Sequence, residues 1–230
     1  MHVSENAKAN SVPAQNQLAA EEYVKIVRTP GSTQRILFVG NSITRHAPKP
    51  SLEWYNDWGM AATALEKDYV HQTLRRLREK YGEMDYCIAQ AGLWETHYTE
   101  GDEVLEQQYA AARDFAADIV IIRLGENINR EKHAEISCKP YYDRMVRFFA
   151  SNPNARVIVT DNFWKMESLD TVIRAVAEER GYTFVHLGDL EDDPQTMALG
   201  QFKCEGVSRH PSDYGMEQIA ERIVAAVSAL

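Results

Sequence analysis

The chain has 230 residues, with 25 Lys and Arg against 34 Asp and Glu, so its formal net charge is −9. Hydrophobic residues make up 44% of the chain and charged residues 26%, which is the composition of a globular protein and excludes a disordered one. The length fits one domain. An acidic surface repels phosphate groups, so neither nucleic acid nor a membrane surface is an expected partner.

The first 22 residues are polar and without useful periodicity, so we expect a tail or extension there and a single domain over residues 23–230. No apolar run approaches the roughly 18–20 residues of a membrane span. Cys87, Cys138 and Cys204 are odd in number and widely separated, which favours buried thiols in a reducing compartment. The expected location is therefore cytoplasmic, or secreted or periplasmic if a leader has been removed.

From Tyr23 onward, short apolar runs alternate with longer amphipathic stretches. The predicted strands are 36–39, 84–89, 118–124, 156–160 and 183–187. The predicted helices are 60–81, 102–116, 140–149, 169–180 and 213–229. Apolar strands that are each followed by a crossover helix indicate a parallel sheet covered on both faces. The prediction is a doubly wound, three-layer α/β/α sandwich with a five-stranded parallel sheet.

Four residue types suited to acyl transfer follow the predicted strands, where a doubly wound sheet binds its ligands. Ser42 comes directly after the first strand, and His210 lies in the last loop, from which it can act as general base. Gly92 offers an unshielded amide N–H after the second strand, and Asn127 offers a side-chain amide after the third. Both groups can hydrogen-bond a developing oxyanion.

These four motifs resemble the SGNH (GDSL-type) hydrolases, and the resemblance covers about residues 35–228. The motifs are Gly40-Asn41-Ser42-Ile43-Thr44, Gly92, Gly125-Glu126-Asn127, and His210-Pro211-Ser212-Asp213. The resemblance implies a flavodoxin-like fold and an esterase with Ser42 as nucleophile and His210 as base. It also implies an oxyanion hole formed by the Ser42 amide, the Gly92 amide and the Asn127 side chain.

The chain departs from the family pattern at the group that orients the catalytic His. Val207 stands where the family usually has Asp, three residues before that His, and Ile128 stands where it often has Asp after the third-motif Asn. Glu205 is the nearest carboxylate, and we interpret it as the replacement acid. The alternatives are a backbone carbonyl and the more distant carboxylates of Asp57 and Asp189.

Aromatic residues near the nucleophile turn suggest a substrate pocket, because flat rings beside amides and carboxylates suit sugars. The predicted substrate-binding residues are Asn41, Asp57, Trp58, Trp94 and Trp164. The alternative is that these Trp side chains pack their loops against the domain. Together, the four motifs and this pocket predict hydrolysis of a small acyl ester, with an acetyl group on a carbohydrate as the expected substrate. The expected partner is thus a small-molecule or carbohydrate ester.

Two other function classes stay open. The absence of the usual Asp suggests a non-catalytic ligand-binding module on the same fold. The turn at Ser42 resembles a phosphate cradle for a flavin or nucleotide, but it contains one Gly and lacks a GxGxxG or Walker pattern. No cofactor is therefore expected. No metal is expected either, because the His residues show no metal-site spacing.

Overall fold

The computed structural model describes residues 23–229, and the predicted tail at residues 1–22 lies outside them. The strands are β1 (Val24–Val27), β2 (Gln34–Gly40), β3 (Met84–Gln90), β4 (Ile119–Arg123), β5 (Arg156–Thr160) and β6 (Thr183–Val185). They form one sheet in the order β1-β3-β2-β4-β5-β6. All pairs from β3 to β6 are parallel.

The helices are α1 (Tyr69–Tyr81), α2 (Gly92–Thr96), α3 (Gly101–Asp114), α4 (Arg130–Glu135), α5 (Lys139–Phe149), α6 (Glu167–Arg180), α7 (Glu205–Ser208) and α8 (Asp213–Ser228). The five long helices match the predictions, except that α1 starts nine residues later than expected. Its start is set by Asp68, whose side chain accepts a hydrogen bond from the His71 N–H. Over residues 23–229, no helix has both the length and the apolar character that crossing a membrane requires.

The five predicted parallel strands are present, and β1 adds a sixth strand at the sheet edge that the prediction missed. It pairs antiparallel with β3, with Val24 opposite Ala89. β1 has four residues and none is fully buried, so it lacks the buried apolar run that marks β2, β4 and β5. The doubly wound α/β/α architecture is confirmed.

Side chains of β2 alternate between two hydrophobic layers. Ile36 and Phe38 face the layer formed by α1 and α8, whereas Leu37 and Val39 face the layer formed by α3, α5 and α6. All four side chains are fully buried. This double burial explains why the strand reads as an unbroken apolar run.

The position of β2 between β3 and β4 places the candidate residues at one edge of the sheet. Gly40, the last residue of β2, is opposite Gln90 of β3 on one side and Arg123 of β4 on the other. The crossover connections change direction between β2 and β4, which is the switch point where such sheets bind ligands. The chain segments that follow these three strands contain Ser42, Gly92 and Asn127.

Gly40 also makes the turn after β2 sterically possible. A Cβ atom at this position would lie 1.8 Å from the Thr44 Oγ1 atom and 2.9 Å from the backbone oxygen of Arg123. The Thr44 hydroxyl is itself held 2.7 Å from the Tyr69 hydroxyl. The chain can therefore turn tightly at Ser42 only with glycine at residue 40.

Candidate active site

Ser42 and His210 are in hydrogen-bond contact, although 168 residues separate them in the sequence. The Ser42 Oγ atom lies 2.8 Å from the His210 Nε2 atom. His210 is fixed from both sides of its backbone, since its N–H donates to the Val207 carbonyl and its carbonyl accepts from the Ala198 N–H, each at 3.0 Å. Ser42 follows β2, and His210 precedes the start of α8.

A backbone carbonyl orients the imidazole. The His210 Nδ1 atom lies 2.7 Å from the Gly206 carbonyl oxygen. Because a carbonyl only accepts hydrogen bonds, Nδ1 carries the proton and the neutral ring presents Nε2 as an acceptor to the Ser42 hydroxyl. This is the tautomer that a general base needs.

The prediction that Glu205 orients His210 is wrong. The Glu205 side chain is 79% exposed and binds Arg209, with 2.8 Å between Arg209 Nη2 and Glu205 Oε1. The short helix α7 is the reason, because its turn directs the carbonyl of Gly206 toward the residue four positions later. The Glu205 side chain projects outward into solvent.

The two distant carboxylates do not orient His210 either. Asp57 is buried and accepts a 2.6 Å hydrogen bond from the Nε atom of Arg45. Asp189 binds Arg222, with 2.9 Å between Arg222 Nη2 and Asp189 Oδ2. Each carboxylate therefore already serves an ion pair elsewhere in the fold.

Burial lowers the pKa of His210 to about 4, and the hydrogen bond from its Nδ1–H to Gly206 only partly offsets this effect. Removing the imidazole from water disfavours its charged form. At neutral pH the ring is thus uncharged and able to accept a proton from Ser42.

Two N–H groups lie beside the nucleophile turn. Gly92 is the first residue of α2, so its N–H has no acceptor within the helix. A Cβ atom at Gly92 would lie 3.8 Å from the Asn41 Cβ atom, which shows how close α2 comes to the turn. Asn127 is exposed, and its side-chain Nδ2 donates one hydrogen bond to Glu95 Oε2 at 2.5 Å. The second N–H of this amide has no acceptor among residues 23–229.

Glu95 is fully buried beneath these groups. Its Oε1 atom accepts from the Gly125 N–H at 2.6 Å, from the Asn127 N–H at 3.3 Å and from the Asn41 side chain at 3.2 Å. Burial and the nearby carboxylate of Glu126 raise the pKa of Glu95 to about 7. The hydrogen bonds oppose this rise, because they favour the ionised form.

Arg123 supplies the positive charge of this buried group. Its guanidinium is fully buried, forms an ion pair with Glu126 and donates to the Asn41 Oδ1 atom. Glu126 in turn accepts from the Asn41 Nδ2 at 2.6 Å and from the Phe163 N–H at 3.1 Å. We call Asn41, Glu95, Arg123, Glu126 and the exposed Asn127 the polar network. It connects the chain segments that follow β2, β3, β4 and β5.

The structure corrects three of the predicted substrate-binding residues. Trp94 is fully buried and packs edge-on against Tyr142 in the core, so it cannot line a pocket. Asn41 and Asp57 are buried as well, and their polar atoms serve the internal contacts described above. The Trp94 ring thus serves core packing, and the polar groups of Asn41 and Asp57 serve hydrogen bonds and ion pairs within the protein.

The other two Trp residues are partly exposed. Trp164 lies beside the base, with its ring centre 5.2 Å from that of His210 in an edge-on arrangement. Trp58 packs edge-on against Trp54, and its Nε1 donates to the Ala62 carbonyl at 2.9 Å. Trp164 is therefore the aromatic side chain in direct contact with the candidate dyad.

A cavity of about 550 Å³ opens beside Trp164. Apolar side chains and charged groups both line it: Met197, Leu199, Phe202, Glu191, Lys203, Glu205 and Arg209. A volume of this size is in the range of small-molecule sites.

The motifs do not reveal Glu95 and Arg123, although both are central to the site. Glu95 lies three residues after Gly92, on the first turn of a helix too short to show periodicity. The signal available in the sequence is Arg123, a charged residue at the end of an otherwise apolar strand. Such a residue requires a buried partner.

Comparison with known proteins identifies the fold by structure. No family model and no curated protein matches the sequence. The lipase/acylhydrolase from Enterococcus faecalis superposes with a TM-score of 0.52 and 15% identity, over 86% of this chain and 96% of that one. A family two carbohydrate esterase from Clostridium thermocellum, in complex with cellohexaose, gives 0.55 and 16%, over 89% and 67%. The chain has the SGNH hydrolase fold.

A third solved structure is similar as well. It is a carbohydrate esterase whose active site displays divergent catalytic and non-catalytic binding functions, with a TM-score of 0.56 and 14% identity over 89% of this chain and 67% of that one. At these identities the comparisons establish the fold, and the resemblance expected from the motifs is confirmed at that level. The activity has to be argued from the residues of this chain.

The structure predicts that His210 stays neutral well below pH 7. In a ¹⁵N NMR titration we expect the Nδ1–H tautomer to persist to about pH 5, with a midpoint near 4, because burial disfavours the imidazolium. In the urea-unfolded chain the same ring should titrate near its ordinary value of about 6.5. A folded-state midpoint near 6.5, or a ring protonated at Nε2 alone, would contradict the geometry.

Proposed function

We propose that the protein is a serine esterase that hydrolyses a small acyl ester through a covalent acyl-enzyme. The observation that carries the proposal is the ordered contact from Ser42 Oγ to His210 Nε2 and from His210 Nδ1 to the Gly206 carbonyl. A nucleophile, a base with the correct tautomer and a group that holds the base are thus in line.

In the acylation step, the Ser42 Oγ atom attacks the carbonyl carbon of the ester while its proton passes to His210 Nε2. The resulting tetrahedral intermediate collapses, the bond to the alcohol oxygen breaks, and the imidazolium of His210 protonates that oxygen. The alcohol leaves and the acyl group stays on Ser42 as an ester.

In the deacylation step, His210 removes a proton from water, and the water oxygen attacks the acyl carbon. Collapse of the second tetrahedral intermediate returns the proton from His210 to Ser42 Oγ and releases the carboxylic acid. The low pKa of His210 keeps the ring in its basic form at neutral pH at the start of each step.

The oxyanion of each tetrahedral intermediate needs donors that are already in place. The Ser42 amide, the Gly92 amide and the second N–H of the Asn127 side chain are the groups proposed for this role. Their support is the alignment of β3, β2 and β4, which brings the three following chain segments to one edge of the sheet.

The Gly206 carbonyl can replace an orienting acid in one respect: it fixes the orientation and the tautomer of the His210 ring. A wrongly protonated imidazole is the main cost when such an acid is lost. Here the carbonyl enforces Nδ1–H, and its dipole also favours the imidazolium that forms during each transfer. Over residues 23–229 no carboxylate hydrogen-bonds to His210 Nδ1, and the carbonyl in its place is therefore compatible with catalysis.

An acetyl group on a carbohydrate is the substrate that the surroundings favour. Trp164 presents an aromatic surface beside the base, and the adjoining cavity mixes apolar and hydrogen-bonding side chains, as sugar sites do. The net charge of −9 disfavours polyanionic substrates. One protein of the same fold holds cellohexaose.

A second candidate function is ligand binding without turnover on the same site. It is favoured because a carbonyl, and not a carboxylate, hydrogen-bonds to His210 Nδ1, and one structurally similar esterase is described as displaying divergent catalytic and non-catalytic binding functions in its active site. In that case Ser42 would be a polar contact for the ligand and would form no covalent bond.

Replacing the nucleophile distinguishes the two functions. We expect Ser42→Ala to lower hydrolysis of p-nitrophenyl acetate by at least 10³-fold, because the substitution removes the hydroxyl that forms the proposed acyl-enzyme. A fluorophosphonate probe should label wild type with one equivalent at Ser42. Equal hydrolysis rates in both proteins, or a folded wild type that the probe leaves unlabelled, would support the binding function instead. Release of acetate from acetylated cello-oligosaccharides then tests the substrate class.

Replacing Glu205 tests the orienting group. Glu205→Gln should leave kcat for p-nitrophenyl acetate within about twofold of wild type, because its carboxylate is exposed and paired with Arg209. The matched variant His210→Gln should lose at least 10³-fold, since it removes the base. A loss of tenfold or more in Glu205→Gln would assign the orienting role to the carboxylate after all.

A further inference from the structure

Glu95 contacts the chain segments that carry two of the proposed oxyanion donors, Gly92 and Asn127. It is the fourth residue of α2, the helix whose first residue is Gly92, and its carboxylate reaches across to the loop at Gly125 and Asn127. A single buried side chain thus connects the chain segment that follows β3 with the one that follows β4.

The contacts of Glu95 all use it as an acceptor. Its two oxygens receive N–H groups from the Asn41 side chain, the Gly125 backbone, and both the backbone and side chain of Asn127. A carboxylate accepts such a set of donors without presenting a donor of its own. A glutamine of the same shape would direct an N–H at one of them.

Asn41, the residue before the proposed nucleophile, offers this carboxylate a hydrogen-bond donor. The Asn41 Nδ2 donates to Glu95 at 3.2 Å and to Glu126 at 2.6 Å, while its Oδ1 accepts from Arg123. An aspartate at residue 41 would place a third carboxylate against these two, with one guanidinium to compensate. The Asn at this position therefore belongs to the same arrangement as Glu95.

We propose that Glu95 is a positioning residue of the oxyanion hole, whose buried carboxylate holds one N–H of the Asn127 amide so that the other faces the reacting carbonyl. This role rests on the proposed esterase function. Glu95 itself touches neither substrate nor reacting atoms, and it acts through Asn127. The exposed Asn127 side chain needs such a hold, because a free amide would rotate among several orientations.

An interaction that matters only once the oxyanion has formed lowers kcat when it is lost and leaves KM nearly unchanged. For Glu95→Gln we expect kcat for p-nitrophenyl acetate at pH 8 to fall about 10–100-fold, with KM within about threefold of wild type. The matched control is Glu103→Gln, an exposed carboxylate on α3, which should match wild type. An unchanged kcat, or a rise in KM with kcat intact, would overturn the proposal.

A double-mutant cycle separates positioning from general structural support. If Glu95 acts through the Asn127 amide, adding Glu95→Gln to Asn127→Ala should lower kcat by less than about threefold beyond Asn127→Ala alone. Losses that multiply in the double variant would show that the two residues act independently and would overturn the proposal.

NMR of wild type tests the contact even if the buried substitution prevents folding. One side-chain N–H of Asn127 should exchange with water much more slowly than those of the exposed Asn154. Equally fast exchange would overturn the proposal. The control for the reaction is Ser42→Ala: if it is as active as wild type, the esterase function fails, and the exchange data still decide whether Glu95 holds Asn127.

Discussion

The carboxyl edge of the sheet depends on charge compensation in a place that water does not reach. Glu95 and Arg123 are fully buried there, Glu126 pairs with Arg123, and Asn41 bridges the two carboxylates with its amide. Removing one partner of a buried ion pair typically costs about 3–5 kcal/mol, because the other charge is left without compensation. The network therefore holds the chain segments around Ser42 in one arrangement. The positions of the nucleophile turn, the start of α2 and the loop at Asn127 all follow from it.

The second constraint is the tautomer of His210. The Gly206 carbonyl lies on the first turn of α7, four residues before His210, so a short helical turn takes the place that an acidic side chain has in the Ser-His-Asp triad. Burial keeps the ring neutral, and Ser42 is within 2.8 Å of its free nitrogen. The proposed nucleophile, base and orienting group therefore come from two segments far apart in the chain, and the fold brings them together.

The fold was predictable in most of its elements because buried parallel strands and long amphipathic helices leave periodic patterns in the sequence. β1 was not, since its four half-exposed residues lack such a pattern. Ser42 stands in a recognisable motif at the end of β2, and His210 stands in one just before α8. The orienting role predicted for Glu205 was wrong, because proximity along the chain says nothing about which way a side chain points from a helical turn. The substrate contact predicted for Trp94 was wrong, because an aromatic side chain near a motif can equally belong to the core.

The central claim is that Ser42 attacks an ester while the Gly92 and Asn127 N–H groups receive the oxyanion. A crystal structure of the adduct formed with a small alkyl fluorophosphonate tests it most directly, because its tetrahedral phosphorus mimics the intermediate. We expect a bond from Ser42 Oγ to phosphorus, with the phosphoryl oxygen about 2.7–3.1 Å from the Gly92 N and the Asn127 Nδ2, and the His210 Nδ1–H still donating to the Gly206 carbonyl. A phosphoryl oxygen directed into solvent, or phosphorus bound to another residue, would contradict it.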